Sequence, residues 1–197
     1  MDFANLPRRR LIQGAAATAA ATGLGGLAAT PAQAVSSQYP PTHWIPADRS
    51  NYTVSSRPSA YPLDFVVVHV TQEYFQDAVD IFQNPGRDVS SHYLIASADG
   101  YIAQLVREKD IAWHAGNWNY NTRSIGIEHE GWVDKPAWFT DVMYRRSAQL
   151  TAAICDRYGI PRTRDHVIGH NEVPGATHTD PGANWNWTKY MRLVRAA

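Results

Sequence analysis

The segment GHNEVPGATHTDPG, residues 169–182, places two His, one Glu and one Asp within fourteen positions. Its polar residues recur at neither a helical nor a strand period, and its Pro and Gly residues are typical of a loop. Imidazole and carboxylate groups at this density are suited to binding a metal ion or to moving a proton. His170 and Asp180 are therefore the first two candidates for metal ligands.

A third candidate ligand lies at the end of an apolar segment. LDFVVVHVT, residues 63–71, is apolar on both faces, which predicts a buried central strand with His69 near its end. HVIGH predicts a second short strand that ends at His170. Catalytic zinc sites use three protein ligands and one open position, and strand ends hold ligands rigidly. A His on a buried strand is more often a hydrogen-bonded core residue, so the residues alone leave both interpretations open.

The other patterns predict helices packed on a mixed sheet. Asp99-Gly100 between two short apolar segments predicts a hairpin, and SIGIEHEG, residues 124–131, predicts another strand. Apolar residues at helical spacing predict helices across residues 75–82, 138–158 and 187–194. We therefore expect an α/β (α+β) single domain with a central mixed sheet over residues 63–197, preceded by an N-terminal arm, residues 35–62, that lies over it.

Residues 1–34 have the pattern of an export signal. Three Arg precede an Ala-rich segment that ends in Ala32-Gln33-Ala34, the small-x-small form of a cleavage site. Arg8-Arg9 followed by Leu11-Ile12 resembles a twin-arginine signal. We expect a secreted mature chain without a membrane association; the alternative is an N-terminal membrane anchor.

Charge and cysteine content restrict the partners. Residues 1–34 hold three of the 18 basic and one of the 18 acidic residues, which leaves 15 and 17 and a net charge of −2. This balance argues against nucleic-acid binding. The single cysteine, Cys155, allows no internal disulfide, and its helical context favours a small buried apolar role. We expect a monomer.

Five segments occur in a specific order between Asp64 and Trp187: VVVHVT, VSSHYLI, AWHAGNW, SIGIEHEG and GHNEVPGATHTDPG. Together they resemble the type 2 N-acetylmuramoyl-L-alanine amidases, which include phage amidase-type lysozymes and are related to peptidoglycan recognition proteins. The resemblance implies a central sheet with flanking helices, one zinc ion per chain, and peptidoglycan or a muropeptide as substrate. It also implies hydrolysis of the amide between the lactyl group of N-acetylmuramic acid and L-Ala of the stem peptide.

The resemblance also implies roles for individual residues. It places zinc on His69, His170 and Asp180, and Glu128 matches the catalytic acidic position of the family. A carboxylate there is suited to act as a general base toward the attacking water. Glu130 competes for this role, because residues two apart share one side of a strand.

His178 stands two residues before Asp180, where many members of the family have a Lys that stabilises the oxyanion. An imidazole can replace that Lys only as a hydrogen-bond donor, so its tautomer or charge matters. The alternative is a solvent-facing loop His.

Residues of the neighbouring loops are candidates for substrate binding. The aromatic side chains are suited to line a groove, His114 to shape the cleft wall or orient a neighbour, and the amide and guanidinium groups to bind the stem peptide. These candidates are Trp113, His114, Asn117, Trp118 and Arg123, with Tyr120 and Trp132 as further aromatic residues. Packing in the core or in loops is the alternative for the aromatic side chains.

Three other functions remain possible from the sequence. The first is a peptidoglycan-binding module of the same fold without catalysis, although such relatives usually lack a zinc ligand. The second is a zinc peptidase that cuts within the stem peptide, although the sequence has no HExxH motif. The third is a structural protein with a cluster of core His, which binds no metal.

Overall fold

The computed structural model describes residues 38–197, so the predicted export signal lies outside the described residues. Within them, the strands are β1 (His43–Trp44), β2 (Tyr52–Thr53), β3 (Phe65–Val68), β4 (Tyr93–Ile95), β5 (Ile102–Gln104), β6 (Ile111–Ala112), β7 (Ser124–His129) and β8 (Val167–Gly169). The α-helices are α1 (Phe75–Gln83), α2 (Trp118–Arg123), α3 (Asp141–Tyr158) and α4 (Trp187–Ala196).

Six strands form one mixed sheet in the order β1-β5-β4-β7-β3-β8, and β2 pairs with β6 separately. β4, β7, β3 and β8 run parallel, whereas β5 is antiparallel to β4 across the predicted hairpin. The predicted single-domain fold with a central mixed sheet is confirmed. Because β7, β3 and β8 are parallel neighbours, their carboxyl ends meet at one edge, the usual place for a ligand in such sheets.

Both faces of the sheet are covered, which explains the continuous apolar sequence of β3. Val66 and Val68 belong to a core with residues of α3 and α4, whereas Val67 packs on the opposite face with Ala115 and Ile168. Side chains alternate along a strand, so His69 lies on the same face as Val67.

Helix α3 begins later than the apolar pattern predicts. Thr140 caps it by accepting from the Met143 backbone N–H, and Gly159 ends it with a left-handed φ of 70°. Cys155 is buried on this helix, as predicted, and burial raises the pKa of its thiol to about 12. Among residues 38–197, no helix combines the length and the apolar character needed to span a bilayer.

The segment predicted as an N-terminal arm is part of the domain where it is described. β1 pairs in parallel with β5, and β2 pairs antiparallel with β6. The buried Arg57 guanidinium donates to backbone carbonyl oxygens of Glu108, Asn121, Thr122 and Ser124. A boundary at residue 63 therefore does not separate an arm from the domain. Strands of two residues are too short to show a period in the sequence.

Candidate active site

Three buried side chains converge at the carboxyl ends of β3 and β8. His69 follows β3 and His170 follows β8, and the pairing of Val68 with Gly169 places the two side by side. Asp180 comes from the loop after His170, and its carbonyl oxygen accepts from the Asn171 backbone N–H at 2.9 Å. One potential ligand atom of each of the three residues lies within 4.8 Å of the others.

The same nitrogen of each imidazole faces the carboxylate. Nδ1 of His170 lies 3.0 Å from Asp180 Oδ1, and Nδ1 of His69 lies 3.3 Å from Asp180 Oδ2. Burial lowers the pKa of His69, which favours the neutral imidazole with a lone pair. Burial opposes ionisation of Asp180, but contacts led by the hydrogen bond from His170 outweigh it and hold its pKa below the ordinary range. Two imidazoles and one carboxylate form a donor set that fits a catalytic zinc ion.

Glu128 lies beside this cluster, near the end of β7. The His69 backbone N–H donates to the carbonyl oxygen of Ile127 at 2.9 Å, and His129 N–H donates to that of His69 at 3.1 Å, so Glu128 is level with His69. Glu128 lines a cleft of about 700 Å³ together with the three converging side chains, and its Oε2 is buried without a hydrogen-bond partner among the described residues. Burial, and then the charge of Asp180, raises the pKa of Glu128 well above its ordinary value.

In the competing carboxylate, Glu130, both oxygens accept hydrogen bonds from the backbone. Its two oxygens accept from the backbone N–H of Phe75 at 3.0 Å, at the start of α1, and from that of Ser97 at 2.8 Å. Glu130 does not line the cleft formed by the described residues. The geometry therefore favours Glu128 over Glu130 as the base.

His178 lies over the candidate metal ligands from the loop side. Its side chain is exposed, and its ring stacks on His170 with centroids 5.0 Å apart and planes 20° apart. It lines the same cleft as Glu128. This position is consistent with a donor that reaches a bound substrate.

Similar proteins identify the family of this chain. Residues 59–183 match the family model described as N-acetylmuramoyl-L-alanine amidase. The chain belongs to this family. It is 35% identical to N-acetylmuramoyl-L-alanine amidase A of Achromobacter lyticus, over 77% of this chain and 92% of that protein. The predicted family and enzyme class are confirmed.

Solved structures of amidases have the same fold. A crystal structure of a selenomethionine derivative of AmpD superposes with a TM-score of 0.63 at 29% identity, covering 78% of this chain and 94% of that one. The amidase AmiD from Escherichia coli, in complex with anhydro-N-acetylmuramic acid-L-Ala-D-γ-Glu-L-Lys, superposes with a TM-score of 0.57 at 26% identity. That match covers 69% of this chain and 59% of AmiD.

Two of the predicted substrate residues of this amidase line the cleft. Trp113 does so while its Nε1–H donates to Thr53 Oγ1 at 3.0 Å, which fixes the indole. His114 also lines the cleft, but it is buried and its Nδ1 lies 2.9 Å from Nε2 of His69. His114 is therefore placed to orient its neighbour.

The other three predicted substrate residues lie elsewhere. Asn117 caps α2 by accepting from the Tyr120 backbone N–H, and its Nδ2 donates to the Pro174 carbonyl oxygen at 2.9 Å. Trp118 is 53% exposed but is not among the described residues that line the cleft. Arg123 donates to Asp64 Oδ2 at 2.6 Å, at the edge where β7 and β3 begin. The structure thus corrects the placement of Arg123, because the short helix α2 ends before β7 and leaves it at the far edge.

The residues that follow His69 also belong to the cleft, although they form no motif of their own in the sequence. Thr71, Gln72 and Glu73 line the cleft, and Gln72 has a positive φ of 58°. Their position directly after a strand that ends at a candidate ligand is the signal that could have indicated them. His129, which follows Glu128 on β7, is buried, and its ring nitrogens lie 2.8 Å from the His69 carbonyl oxygen and 2.6 Å from Ser147 Oγ.

Proposed function

We propose that this chain is a zinc-dependent amidase of peptidoglycan or muropeptides that hydrolyses the amide between the lactyl group of N-acetylmuramic acid and L-Ala. The observation that carries the proposal is the buried Glu128 Oε2, which has no partner among residues 38–197 and lines the cleft with three converging metal-ligand candidates. Buried polar atoms are nearly always hydrogen-bonded in folded proteins. A carboxylate oxygen left free at such a site is suited to accept a proton during a reaction.

His69, His170 and Asp180 would hold the zinc ion, which supplies Lewis-acid activation of the attacking water and of the scissile carbonyl. Glu128 takes a proton from the water while the oxygen of the water bonds to the carbonyl carbon. Glu128 then passes this proton to the amide nitrogen as the carbon–nitrogen bond breaks. The products are a lactyl carboxylate on the sugar and a stem peptide with a free L-Ala amino group. His178 donates a hydrogen bond to the oxyanion that forms in between.

Two alternatives predict different outcomes when the protein is mixed with muropeptides. A non-catalytic binding module would bind muropeptides and release nothing. A peptidase acting within the stem peptide would leave the lactyl–L-Ala amide intact and create D-amino-acid ends. The complete donor set and the free Glu128 oxygen support catalysis.

Mass spectrometry of digested muropeptides tests the proposal. We expect purified protein with one zinc per chain to release peptides that begin with L-Ala, and both chelation and His69→Ala to abolish the release. Glu130→Gln, which changes a carboxylate outside the cleft, is the matched control. Products with D-amino-acid ends, or bound muropeptide with no product from zinc-loaded protein, would contradict the amidase proposal.

We also propose that the mature enzyme is a secreted monomer, exported by the twin-arginine route. The supporting features are Arg8-Arg9 and the Ala32-Gln33-Ala34 cleavage pattern in the sequence. Secreted protein should begin at Val35, and replacement of both Arg by Lys should stop its secretion. Normal secretion of the double variant would point to the general export route. Sedimentation of the mature enzyme measures its oligomeric state.

A further inference from the structure

His114 contacts the edge of the His69 ring that points away from Asp180. His69 Nε2 and His114 Nδ1 are 2.9 Å apart, with ring planes at 87°, whereas His69 Nδ1 faces Asp180. A neutral imidazole carries one donor nitrogen and one acceptor nitrogen. The position of the proton on His114 therefore decides which nitrogen of His69 keeps a lone pair.

Ser124, the first residue of β7, sets the direction of this hydrogen bond. Its hydroxyl donates to the Tyr120 carbonyl oxygen at 2.5 Å, which uses its single hydrogen. Ser124 Oγ lies 3.1 Å from His114 Nε2, so it acts as the acceptor in that contact. His114 then carries its proton on Nε2 and accepts at Nδ1. The donor to Nδ1 is His69 Nε2–H, which leaves His69 Nδ1 without a proton.

The surroundings fix the His114 ring in place. Asn121 Oδ1 accepts from the backbone N–H groups of His114 at 3.1 Å and of Ala115 at 2.8 Å. Gly126 of β7 provides the space for the ring, because a Cβ at this position would lie 2.6 Å from His114 Cγ. Only glycine leaves that space on the strand. Asn121 thus fixes the His114 backbone, and the His114 ring lies against Gly126 of β7.

We propose that Tyr120, Ser124 and His114 form a hydrogen-bond relay that holds His69 in the Nε2–H tautomer and keeps Nδ1 open for the metal. His114 is a positioning residue in this relay, since its effect on the reaction acts through His69. Outer hydrogen-bond partners of metal-binding His typically contribute 10- to 100-fold to metal affinity. The inference rests on the proposed zinc site.

A competing tautomer makes the proposal testable. In it, His69 Nδ1–H points to Asp180 Oδ2 at 3.3 Å, an oxygen that also accepts from the Val70 backbone N–H at 3.3 Å. The contact with His114 is shorter, at 2.9 Å. The competing tautomer also reverses the relay, and the Tyr120 carbonyl oxygen then loses the Ser124 hydroxyl as a donor.

Long-range proton–nitrogen NMR correlation of the metal-free protein reads the tautomer directly. We expect the proton of His69 on Nε2 in the parent. His114→Leu removes the acceptor, so the proton should move to Nδ1 and zinc affinity, measured by competition with a chelator, should fall about 10- to 100-fold. His114→Asn restores an acceptor oxygen near the Nδ1 position, so Nε2–H should persist and affinity should stay within about threefold.

A pair of serine variants separates the relay from packing. Ser124→Ala removes the group that orients His114, so the metal-free protein should show both His69 tautomers. Ser91→Ala is the control, because Ser91 is equally buried and its hydroxyl has no partner among the described residues. Ser91→Ala should leave the spectrum of His69 and the zinc affinity unchanged. Thermal unfolding of each variant checks that the fold is intact.

The outcomes distinguish the relay from the proposed function. A parent spectrum with the proton on Nδ1, or folded His114→Leu with unchanged tautomer and zinc affinity, overturns the relay while the amidase proposal stands. A parent with Nε2–H on His69 that binds no zinc supports the relay and contradicts the proposed metal site. The metal-free spectrum needs neither zinc nor substrate, so the two failures cannot be confused.

Discussion

Two carboxylates in this amidase lie in very different surroundings. Glu108, after β5, is 7% exposed and accepts from the hydroxyl groups of Tyr39, Tyr93 and Tyr158 at 2.7–3.1 Å. Glu128, in the cleft, keeps a buried oxygen that has no partner within residues 38–197. One carboxylate is surrounded by donors, and the other has an oxygen free to accept.

This difference separates a group that stabilises the fold from a group available for chemistry. Burial raises the pKa of each of the three tyrosines, and the charge of Glu108 adds to the effect, so their hydroxyls remain protonated donors. They tie the segment before β1, the sheet and the end of α3 to one carboxylate. Glu128 makes no comparable connection through Oε2, and leaving a buried polar atom unpaired costs about 1–3 kcal/mol. The unpaired Oε2 of Glu128 in the cleft therefore indicates a role in the reaction and not in stabilising the fold.

The largest expected effect concerns Glu128 as the base. Glu128→Gln should keep the fold and bound zinc but lower turnover about 10²–10⁴-fold, the usual contribution of a general base. Turnover on a muramoyl peptide and zinc content are the measurements. Glu130→Gln provides the same substitution at a carboxylate that caps α1, and it should lower stability more than turnover. An inactive Glu130→Gln beside an active Glu128→Gln would reverse the assignment.

His178 should show the next largest effect. Like Glu128, it lines the cleft, and its side chain makes no hydrogen bond within the described structure. His178→Ala should lower kcat by about 10²-fold with a smaller change in KM, because oxyanion contacts strengthen in the transition state. His178→Lys should recover part of the loss. If His178→Ala kept the kcat of the parent, the imidazole would have no part in stabilising the oxyanion.

Glu108→Gln should affect stability and leave chemistry intact. The substitution replaces one acceptor oxygen by an amide N–H group that faces tyrosine hydroxyls, and loss of charge-assisted bonds should lower the free energy of unfolding by about 1.5–3 kcal/mol. Tyr39→Phe removes a single donor and should cost about 0.5–1.5 kcal/mol. Denaturant unfolding measures both variants. Reduced turnover in well-folded Glu108→Gln would contradict the assignment of Glu108 to stability and of Glu128 to the reaction.

The smallest effect is a gain in stability. In the unfolded chain Glu128 ionises near its ordinary pKa of about 4.3, whereas burial raises its pKa in the folded protein. The metal-free parent therefore loses stability as the pH rises from the unfolded pKa through the folded pKa. Glu128→Gln avoids this loss and should be more stable than the metal-free parent at neutral pH, by about 1 kcal/mol. A stability difference between Glu128→Gln and the metal-free parent that is the same at pH 4 and at pH 7 would argue against a raised pKa.

Local patterns predicted the elements that carry the site. The β-branched segment before His69 and the Asp99-Gly100 hairpin depend on neighbouring residues, so they can be read from the sequence. The ordered motifs then indicated Glu128 and the three candidate ligands, which the structure brings together. The order of the strands was not predictable from these patterns, because pairing depends on the whole sheet.

What the sequence could not predict depends on contacts between distant segments. Arg123 belongs to a motif-rich region, yet the direction of β7 places it at the far edge of the sheet, beside Asp64. The Asn117 amide is used at the cap of α2 and at the Pro174 carbonyl. A side chain that can bind a peptide can equally bind its own backbone, and only the packed structure decides between these partners.

The pairing of β3 with β8 affects the rates of folding and unfolding. Val66 pairs with Val167, so the strands that position His69 and His170 are distant along the chain. Contacts of this kind are slow to form because a long loop must close first. A metal ion bound by His69 and His170 would add its binding energy only after this slow step. Metal binding should therefore lower the rate of unfolding and leave the rate of folding nearly unchanged.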